Sequence, residues 1–405
     1  MRTTSGGVRL SVGGRRWLGR AAGWRAGRVV RVWATLRPPA AYRNPGVADQ
    51  ARRLAMRGTA LLGSVKSGLL VEVVRRGSPP AELAASTRAV VRGVIGRSVG
   101  RHGLRSAAIV TAVLIGDRAG LDDETTRRLQ EGGTYHVIAI SGGNIVILAG
   151  CLLLFGRSTG VHPRRLSGAV ILLLVAYAYL VGHEASVARA TAAAVIVLGA
   201  GLLDHRTPPV NVLAVAAIGI VLVSPLAVFD PGFLLTFGAT LGIVLGVSRV
   251  AATLGRLPAR WVDPPPPRWV ALPVTLLAAT LCAEGALMPI GAALFARVTL
   301  AGLVLNFFAI PLMTVTQLAG LAALALAPIH PSLSSVAGYL AHLAATGIVE
   351  STRLLDVCPW LVFRVPAPGG AVLVVYYGAL MRLLWTGGSA RARAAATTLL
   401  AVAAI

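Results

Sequence analysis

Long apolar segments separated by short polar breaks dominate the chain from His136 onward. A helix that spans a bilayer needs about 20 apolar residues, and most of these segments approach that length. The predicted spans lie near residues 136–156, 166–182, 187–204, 209–228, 232–248, 270–295, 299–328, 333–355 and 369–385, and a tenth starts near 394 and is cut off by the chain end. The pattern predicts a polytopic α-helical membrane protein with about nine or ten transmembrane helices.

The first 75 residues follow a different pattern, in which apolar residues alternate with polar or basic ones. Three segments alternate in the way of strands with one buried face, namely VRLSV, GRVVRVWATL and ALLGSVKSGLLVEVV. The turn cluster PPAAYRNPG and a helical stretch, ADQARRLAMRG, precede the third segment. We therefore expect a β-rich basic domain over 1–78, interfacial helices and a surface loop over 79–135, and a transmembrane domain over 136–405.

Two segments between these parts are expected to be helices that do not span the membrane. Residues 79–102 begin with Pro-Pro and carry regularly spaced arginines, a pattern typical of an amphipathic helix on a membrane surface. Residues 104–118, LRSAAIVTAVLIGDR, hold an apolar run of about a dozen residues, which is short of a full span. This second helix is expected to be buried against other helices or to be re-entrant.

Composition agrees with a membrane protein. The 405 residues are 55% hydrophobic and 13% charged, with a mean hydropathy of +0.73, whereas soluble domains carry about 25% charged residues. The cysteines Cys151, Cys282 and Cys358 form no C-x-x-C, and the histidines form no H-E-x-x-H. The sequence therefore predicts no disulfide framework, no metal site, no cofactor and no catalytic residue.

Positive charge gathers ahead of the membrane part. Residues 1–104 hold 20 Lys+Arg against 3 acids, out of a total net charge of +24. A basic soluble segment implies a polyanionic partner, either lipid headgroups or nucleic acid. The candidate DNA-binding residues are Arg25, Arg28, Arg31, Arg37, Arg43, Arg52, Arg53 and Arg57. The interleaved aromatics Trp17, Trp24, Trp33 and Tyr42 either stack on bases or fill a small core.

Loop charges predict the orientation of the spans. Four breaks are basic, at residues 157–165, 205–209, 249–268 and 386–393, and they fall on one side. The positive-inside rule places that side in the cytoplasm and everything before residue 136 outside. The start, MRTTSGGVRLSVGGRRW, has no apolar export signal, so we expect a misassigned start or a fragment.

The first predicted span is interrupted by small and polar residues. The segment HVIAISGGNIVILAG places Ser141, Gly142, Gly143 and Asn144 inside an apolar run. Glycines weaken a helix and allow close backbone approach, and non-helical backbone at membrane depth needs surrounding protein or water. The serine and asparagine can hydrogen-bond across helices or line a wet cavity, and a close-packing notch without substrate contact is the alternative.

Two other spans carry unusual polar residues. Glu284 lies well inside one, and a carboxylate at that depth is a candidate functional site. It can stay protonated, pair with Arg189 or Arg297, or line a pore. Asn306 and Pro311 predict a kinked helix whose freed carbonyls meet an amide, and simple helix–helix contact is the alternative.

A hydrated path through the spans requires small polar side chains without strong trapping charges. The candidates for its lining are Ser141, Asn144, Thr236, Asn306, Thr314, Thr316 and Gln317. Asp230, in FDPG, is expected instead to cap the following helix, because its side chain can accept from free N–H groups.

Several motifs, in order along the chain, resemble those of ComEC-type proteins, the inner-membrane channel family for DNA uptake. GDRAGLDDETTRRLQEGGTYHVIAISGGNIVILAG matches the start of their competence domain, with His136, Ala139, Ile140, Ser141 and Gly142 on the motif and Gly143-Asn144 where another residue and His are commoner. The later matches are HEASVARATAAAVIVL with Arg189, FDPGFLLTFGATLGIV with Thr236 in place of Ser, and LCAEGALMPIGAALFARVTLAGLVLNFFAIPL with Glu284 near a common Gln position. RNPGVADQARRLAMRG resembles the end of the family's extracytoplasmic OB-like domain.

The resemblance covers roughly residues 25–330 and implies a channel for inward transport of single-stranded DNA during natural transformation. It implies a multi-pass protein of the bacterial cytoplasmic membrane with an OB-like extracytoplasmic N-terminal domain. The implied pore and motif residues are His136, Ser141, Gly142, Gly143, Asn144, Arg189, Asp230, Thr236, Glu284, Asn306 and Pro311. The implied partners are single-stranded DNA, the lipid bilayer, a DNA receptor outside and an ATP-driven DNA translocase on the cytoplasmic side. Relatives often carry a metallo-β-lactamase-like nuclease domain, but this chain has no H-x-H-x-D-H run, so no enzyme is expected.

Two other functions are possible interpretations of the same polar residues. A proton-coupled secondary transporter of a small polar solute would use Glu284 and the broken helix at 141–144, although the chain shows no convincing internal repeat. An intramembrane serine hydrolase would use Ser141, and would need a histidine facing it at depth.

Overall fold

The computed structural model describes residues 6–14, 23–40, 51, 54–55, 58–138, 140, 142–182, 185–205, 207–259 and 271–385. The chain divides into two compact units, Met1–Val90 and Val91–Ile405. The first is rich in strands and the second is helical.

The first unit contains two small sheets. Its strands are β1 (Gly7–Val12), β2 (Val29–Val32), β3 (Thr35–Arg37), β4 (Thr59–Val65) and β5 (Val71–Arg75). One sheet has the order β1-β4-β3, with β1 parallel and β3 antiparallel to the central strand, and the other pairs β2 with β5 antiparallel. The alternating segments of the sequence therefore form strands, as predicted. Of the predicted helical stretch ADQARRLAMRG, residues 51, 54 and 55 are described and are helical.

The helices begin within the first unit and continue through the second. They are α1 (Pro79–Ser98), α2 (Leu104–Ile115), α3 (Asp123–Glu131), α4 (Tyr135–Ile138), α5 (Gly142–Ser158), α6 (Pro163–Val181), α7 (Ala185–Leu202), α8 (Pro209–Val223), α9 (Pro231–Ala259), α10 (Ala271–Phe295), α11 (Ala301–Leu326), α12 (Pro331–Ser351), α13 (Leu354–Val357) and α14 (Gly370–Trp385). The predicted spans from 136–156 to 369–385 each contain one of the helices α5 to α12 or α14. The tenth predicted span lies outside the described residues.

Length and composition mark this unit as a membrane domain. Within the described ranges, five segments are long and apolar enough to cross a membrane: Pro163–Val181, Pro231–Leu254, Ala271–Phe295, Ala301–Leu326 and Pro331–Val357. The other spans contain shorter apolar helices. The chain is a polytopic helical membrane protein with a β-rich N-terminal part, as the sequence predicts.

The short helix α2 is buried among longer helices. All its residues from Ser106 to Ile115, except Ala108, are buried. A Cβ placed on Gly320 of α11 would lie 2.9 Å from Leu114 Cδ1 and 3.1 Å from Val110 Cγ1, so glycine allows α2 to approach α11 closely. The prediction that this apolar run is buried against other helices is confirmed.

The first predicted span is broken just before its glycines. The short helix α4 ends at Ile138, Ile140 is not helical, and α5 begins at Gly142. Helix α2 ends nearby at Gly116, whose φ of 72° is in the left-handed region that favours glycine. A Cβ on Gly116 would lie 3.4 Å from Ile140 Cδ1, so α2 ends against this break.

A two-stranded antiparallel ribbon joins two connections of the helical unit. It pairs β6 (Arg297–Thr299), between α10 and α11, with β7 (Val362–Arg364), which follows α13. The backbone N–H of Leu300 also donates to Leu361 O at 2.8 Å. The ribbon therefore fixes the start of α11.

Candidate functional site

The sheet β1-β4-β3 carries two exposed arginines in one row. Arg9 of β1 and Arg37 of β3 both stand opposite Leu62 of the central strand, and side chains at paired positions project to the same face. Both arginines are exposed. Neither forms an ion pair with another described residue. The row is therefore open to an anion.

A second row on the same face holds three hydroxyl groups. Ser11 of β1 and Thr35 of β3 both stand opposite Ser64, two residues from Leu62, so the rows share one face. Together the two rows line a pocket of about 650 Å³. Guanidinium groups and hydroxyls are the donors that proteins use for phosphate oxygens. We name these six residues, Arg9, Ser11, Thr35, Arg37, Leu62 and Ser64, the sheet face.

Two of the arginines predicted to bind DNA are instead engaged within the protein. Arg28 donates to both carboxylate oxygens of Glu82 at 2.6 and 2.7 Å and to Gly23 O at 2.8 Å. This pairing lowers the pKa of the Glu82 carboxyl to about 2. Arg25 donates to Ser86 Oγ at 3.0 Å and lies 3.6 Å from the same carboxylate. Glu82 therefore holds the Arg28 guanidinium through two hydrogen bonds, and contact of Arg25 or Arg28 with DNA stays a prediction.

The remaining predicted DNA contacts divide into exposed residues and residues outside the described part. Arg31 lies 3.7 Å from Glu72, and both side chains are 69% exposed. Trp33 is 76% exposed, so it does not fill a core. Arg43, Arg52, Arg53, Arg57, Trp17 and Tyr42 lie outside the described residues.

The GDR segment that opens the competence-like region is tied to its neighbours. Asp117 accepts from Arg92 Nε at 2.5 Å. Arg118 donates to the Tyr135 hydroxyl at 3.4 Å, and its guanidinium lies 5.6 Å from the centre of that ring. His136 Nδ1 lies 2.8 Å from Gly133 O. These contacts fix the loop before the broken helix.

The helix break is closed by hydrogen bonds from other helices. The carbonyl of Ile140, which belongs to no helix, accepts from Ser186 Oγ at 2.9 Å. Asn144 Nδ2 donates to Val113 O at 3.4 Å, and the backbone carbonyl of Asn144 accepts from Gln317 Nε2 at 2.9 Å. Ser141 lies outside the described residues, and Gly142 and Gly143 form the first turn of α5.

Arg189 and the start of α9 form a second polar cluster. The guanidinium is 5% exposed and donates through Nη2 to Thr236 Oγ1 at 2.6 Å. A Cβ on Gly232 would lie 3.4 Å from Asp230 Oδ1 and 3.6 Å from Arg189 Nη2, so Gly232 lies beside both charged groups. Asp230 Oδ1 accepts from the Gly232 N–H at 2.9 Å. Asp230 therefore caps α9, as predicted.

Glu284 lies against the first turn of α11. A Cβ on Gly302 would lie 2.6 Å from Glu284 Oε1 and 3.5 Å from Asn306 Nδ2, so the absence of a side chain makes room for both groups. Among the described residues, Glu284 forms no ion pair with Arg189 or Arg297. The predicted arginine partner is therefore wrong. Helix α11 continues through Pro311, and Asn306 faces Gly302 and Glu284.

Four residues of the predicted hydrated path are buried in the described conformation. Asn144, Asn306, Thr316 and Gln317 are at most 4% exposed. Asn144 and Gln317 are bonded to neighbouring helices, and Thr316 Oγ1 donates within its own helix, to Leu312 O at 2.8 Å. That these residues line a path through the membrane stays a prediction. Thr236 and Thr314 are partly exposed.

A family model described as "Competence protein" matches residues 113–389, and these residues contain the broken helix, the Arg189 cluster and Glu284. The chain belongs to the competence protein family. It is 30% identical over 155 residues to ComE operon protein 3 of Bacillus subtilis (strain 168), which is 38% of this chain and 20% of that protein. It is 26% identical over 302 residues to Recombination protein 2 of Haemophilus influenzae, which is 71% of this chain and 36% of that protein.

These alignments cover 20% and 36% of the two relatives' lengths. No solved structure matches this competence protein.

Arg9 and Ser11 of the sheet face are not among the candidates that the sequence alone indicated. Arg9 and Ser11 alternate with apolar residues in VRLSV, and that alternation indicates a shared face. The register that brings Arg37 beside them is not readable from the sequence, since it depends on which strands pair. The local sequence around Ser186 and Gly302 does not indicate their roles, because Ser186 contacts Ile140 and Gly302 contacts Glu284, both far away along the chain.

Proposed function

We propose that this competence-family protein takes up DNA. In this proposal the sheet face of the first unit binds single-stranded DNA outside the cytoplasmic membrane, and the helical unit conducts it inward. Membership of the family supports a role in DNA uptake. The single observation that carries the DNA-binding part is the row of Arg9 and Arg37 on either side of Leu62, exposed and without carboxylate partners in the described residues.

The geometry of the sheet face suits a phosphate backbone. Neighbouring strands lie about 4.8 Å apart, so the two arginines emerge roughly 10 Å from one another and can hold separate phosphates. The hydroxyl row lies beside them and supplies further donors. Trp33, two residues before Thr35, is 76% exposed and offers a surface on which a base can stack, worth about 1–3 kcal/mol.

Orientation is the second part of the proposal. The basic breaks at 157–165 and 249–268 include the last residues of α5 and α9, and the break at 205–209 follows α7. Because arginine-rich loops stay in the cytoplasm, these helix ends face inward and the β-rich unit faces outward. A DNA receptor outside and an ATP-driven translocase inside are further proposals that rest on the family resemblance.

Conduction requires a change from the described conformation. Asn144 is fully buried and Gln317 is 2% exposed, and their hydrogen bond closes the broken helix against α11. We propose that this is a closed state and that a strand passes when α5 and α11 separate at this bond. Small polar groups without strong charge then become the lining.

The test is binding of a fluorescent single-stranded oligonucleotide to the purified full chain in lipid nanodiscs, measured over a range of salt. Each phosphate contact releases counterions, with a slope of roughly 0.7 per contact for single strands. The double variant Arg9→Gln/Arg37→Gln is expected to lower the slope by about 1.4 and to weaken binding roughly tenfold per arginine at low salt. Arg31→Gln is the matched control, because that arginine is exposed but stands opposite Glu72.

The outcomes separate the parts of the proposal. If the wild-type chain does not bind at low salt, the DNA-binding role is wrong. If it binds and the double variant binds equally well with an unchanged slope, the sheet face is not the site. If Arg31→Gln weakens binding as much as the double variant, the loss reflects the lower net positive charge and does not identify the sheet face as the site.

Orientation is tested by labelling in intact cells. Ser78→Cys and Ser158→Cys, each in a chain whose native cysteines are replaced, place one thiol in each unit at exposed positions. A membrane-impermeant maleimide is expected to label the first before lysis and the second only after it. The reverse pattern contradicts the proposed topology.

A further inference from the structure

Glu284 is a carboxylate in an apolar helix. Helix α10 contains no other charged residue between Ala271 and Phe295. Among the described residues, no arginine forms an ion pair with it. Its side chain is only partly exposed, and a charge withdrawn from water without a partner is disfavoured, so the described part of the chain leaves this carboxylate without a counter-charge.

The helix that faces Glu284 supplies only part of that charge. Oε1 lies beside Gly302 in the first turn of α11, where the helix dipole presents about half a unit of positive charge. The residue before this helix, Leu300, supplies no side-chain cap. The dipole therefore orients the carboxylate towards α11 but leaves part of its charge uncompensated.

Asn306 adds a second oxygen that lacks a donor. Its side chain is 4% exposed, and its Oδ1 has no hydrogen-bond partner among the described residues. Its amide nitrogen lies near the same point beside Gly302 as the carboxylate. Rotation of the amide about its last bond exchanges the nitrogen and oxygen positions. In the described orientation the amide nitrogen faces the Glu284 carboxylate beside Gly302, and with the amide turned the carbonyl oxygen would face it.

We propose that Glu284 and Asn306, which both lie beside Gly302, form a binding site for one monovalent cation, either a proton or Na⁺. Carboxylate and carbonyl oxygens are ligands that suit such ions. One carboxylate balances one charge, which fits a monovalent ion better than a divalent one that needs several oxygens. The site exists whether or not the chain conducts DNA.

Within the described helices around α10, no other group supplies a counter-charge for Glu284. Helix α9 is uncharged over 231–248, and α11 is uncharged throughout. In α14, Tyr376 and Tyr377 donate their hydroxyls to the carbonyls of the two residues after Glu284, at 2.7 and 3.0 Å. The first of these carbonyls is freed by Pro289, four residues later. These bonds leave the tyrosines committed to the backbone.

The loop and ribbon beside the site hold the remaining titratable groups. Arg297 is in β6, and Thr299 of the same strand donates to Glu131 O at 3.3 Å. The Glu131 carboxylate accepts from Arg127 at 3.1 Å. His136 contacts Gly133 O. Because these groups also respond to pH, the test must compare variants rather than rely on the wild type alone.

The experiment measures thermal unfolding of the purified full chain in nanodiscs, without any transport assay. In one series Na⁺ replaces choline at constant ionic strength and pH, and in the other the pH is varied without Na⁺. A ligand that binds only the folded state raises the unfolding midpoint in proportion to the logarithm of its concentration. Glu284→Gln is expected to abolish this dependence, and Asn306→Leu to weaken the apparent affinity roughly tenfold.

Matched variants make the result specific. Glu350→Gln removes a carboxylate that pairs with Arg353 at 2.6 Å, and it is expected to keep the wild-type cation dependence. Gly302→Ala would place a methyl group 2.6 Å from Glu284 Oε1 and is expected to remove the dependence by filling the site. If Glu284→Gln does not fold, Gly302→Ala alone tests the proposal.

A midpoint that follows Na⁺ at fixed pH assigns the site to Na⁺, and one that follows pH alone assigns it to a proton. Either result supports the proposal only if Glu284→Gln or Gly302→Ala loses the effect. A wild-type midpoint that responds to neither cation overturns it. So does a cation response that persists in both variants.

Discussion

Polar side chains serve opposite purposes in the two units of this protein. On the sheet face of the first unit, Arg9 and Arg37 are exposed, and neither forms an ion pair within the described residues. In the helical unit, Asn144 and Gln317 are fully or almost fully buried and bonded across helices. Water can satisfy the first kind of group, whereas groups in an apolar surrounding must find protein partners.

The arginines show that residue type alone does not decide this purpose. Arg28 is committed to Glu82, Arg189 is buried against Thr236, and Arg37 is open to solvent. A guanidinium group can thus form an internal ion pair (Arg28), link two helices (Arg189) or be available to contact a phosphate (Arg37). The partners placed beside it by the fold make the difference.

The largest expected effect is in helix packing. Gly242 of α9 lies so close to α10 that a Cβ would be 2.6 Å from Ala286 Cβ and 2.8 Å from Cys282 O. Gly242→Leu is therefore expected to destabilise the helical unit by about 3 kcal/mol or more, measured as a loss of folded protein and a lower unfolding midpoint in detergent. Gly219→Ala is the control, since a Cβ there meets nothing within 4 Å. Equal stability of the two variants would contradict the tight packing.

A smaller effect is expected at the bond that closes the broken helix. Gln317→Leu removes the donor to Asn144 O and is expected to cost about 1–2 kcal/mol, as for hydrogen bonds between membrane helices. Thr314→Val is the control, because that hydroxyl bonds within its own helix, to Ile310 O at 3.0 Å. The measurement is the unfolding midpoint of each variant.

The hydrogen bond between Gln317 and Asn144 can also be tested as a closure of the path. If the bond closes a path, Gln317→Leu also increases modification of an engineered Asn144→Cys thiol by a small water-soluble reagent. No increase, with an unchanged midpoint, would mean that the bond neither stabilises nor closes the break.

The fold of the helical unit was largely predictable from its sequence. Each predicted span contains a helix because the apolar segments are long and the breaks between them are short and polar. An interruption of the first span was also predictable, since Gly142 and Gly143 weaken a helix, but it lies at Ile140 and these glycines begin α5. Asp230 before Pro231 was recognisable as a cap, because that signal is local.

Contacts between distant residues were not predictable in the same way. The pairing of Glu82 with Arg28 joins residues 54 positions apart, and nothing local distinguishes Arg28 from Arg37. The Glu284 site depends on Gly302, whose only contribution is a missing side chain. Burial of the polar residues in α5 and α11 likewise depends on helix packing, which composition alone leaves open.

Acid is expected to loosen the first unit through Glu82. The pKa of this carboxyl is lowered to about 2 in the folded protein, chiefly by the hydrogen bonds from Arg28. A depressed folded-state pKa stabilises the fold above the unfolded value, near 4.3 for Glu, and that contribution is lost as pH falls towards 2. Tryptophan fluorescence should show an unfolding midpoint that falls over this window.

Glu82→Gln isolates this contribution from other acidic groups. The variant is expected to begin with a lower midpoint at neutral pH and to lose less of it between about pH 4 and pH 2. Asp356→Asn is the control, because Asp356 belongs to the helical unit and pairs with Arg128 there. A pH profile of Glu82→Gln that matches the wild type would mean that the Arg28 clamp does not stabilise the first unit.

The smallest effect is expected for the exposed pair of Arg31 and Glu72. Their charged atoms are 3.7 Å apart, and both side chains are 69% exposed, so water and salt screen them. Glu72→Gln is expected to change stability by no more than about 0.5 kcal/mol, measured by chemical unfolding at low and high salt. It should instead strengthen oligonucleotide binding slightly, because it removes an acid from a basic unit. A stability loss as large as that of Glu82→Gln would show that an exposed arginine pair stabilises the fold as much as the Arg28–Glu82 pair does. The assignment of the sheet face depends on these two kinds of arginine being different.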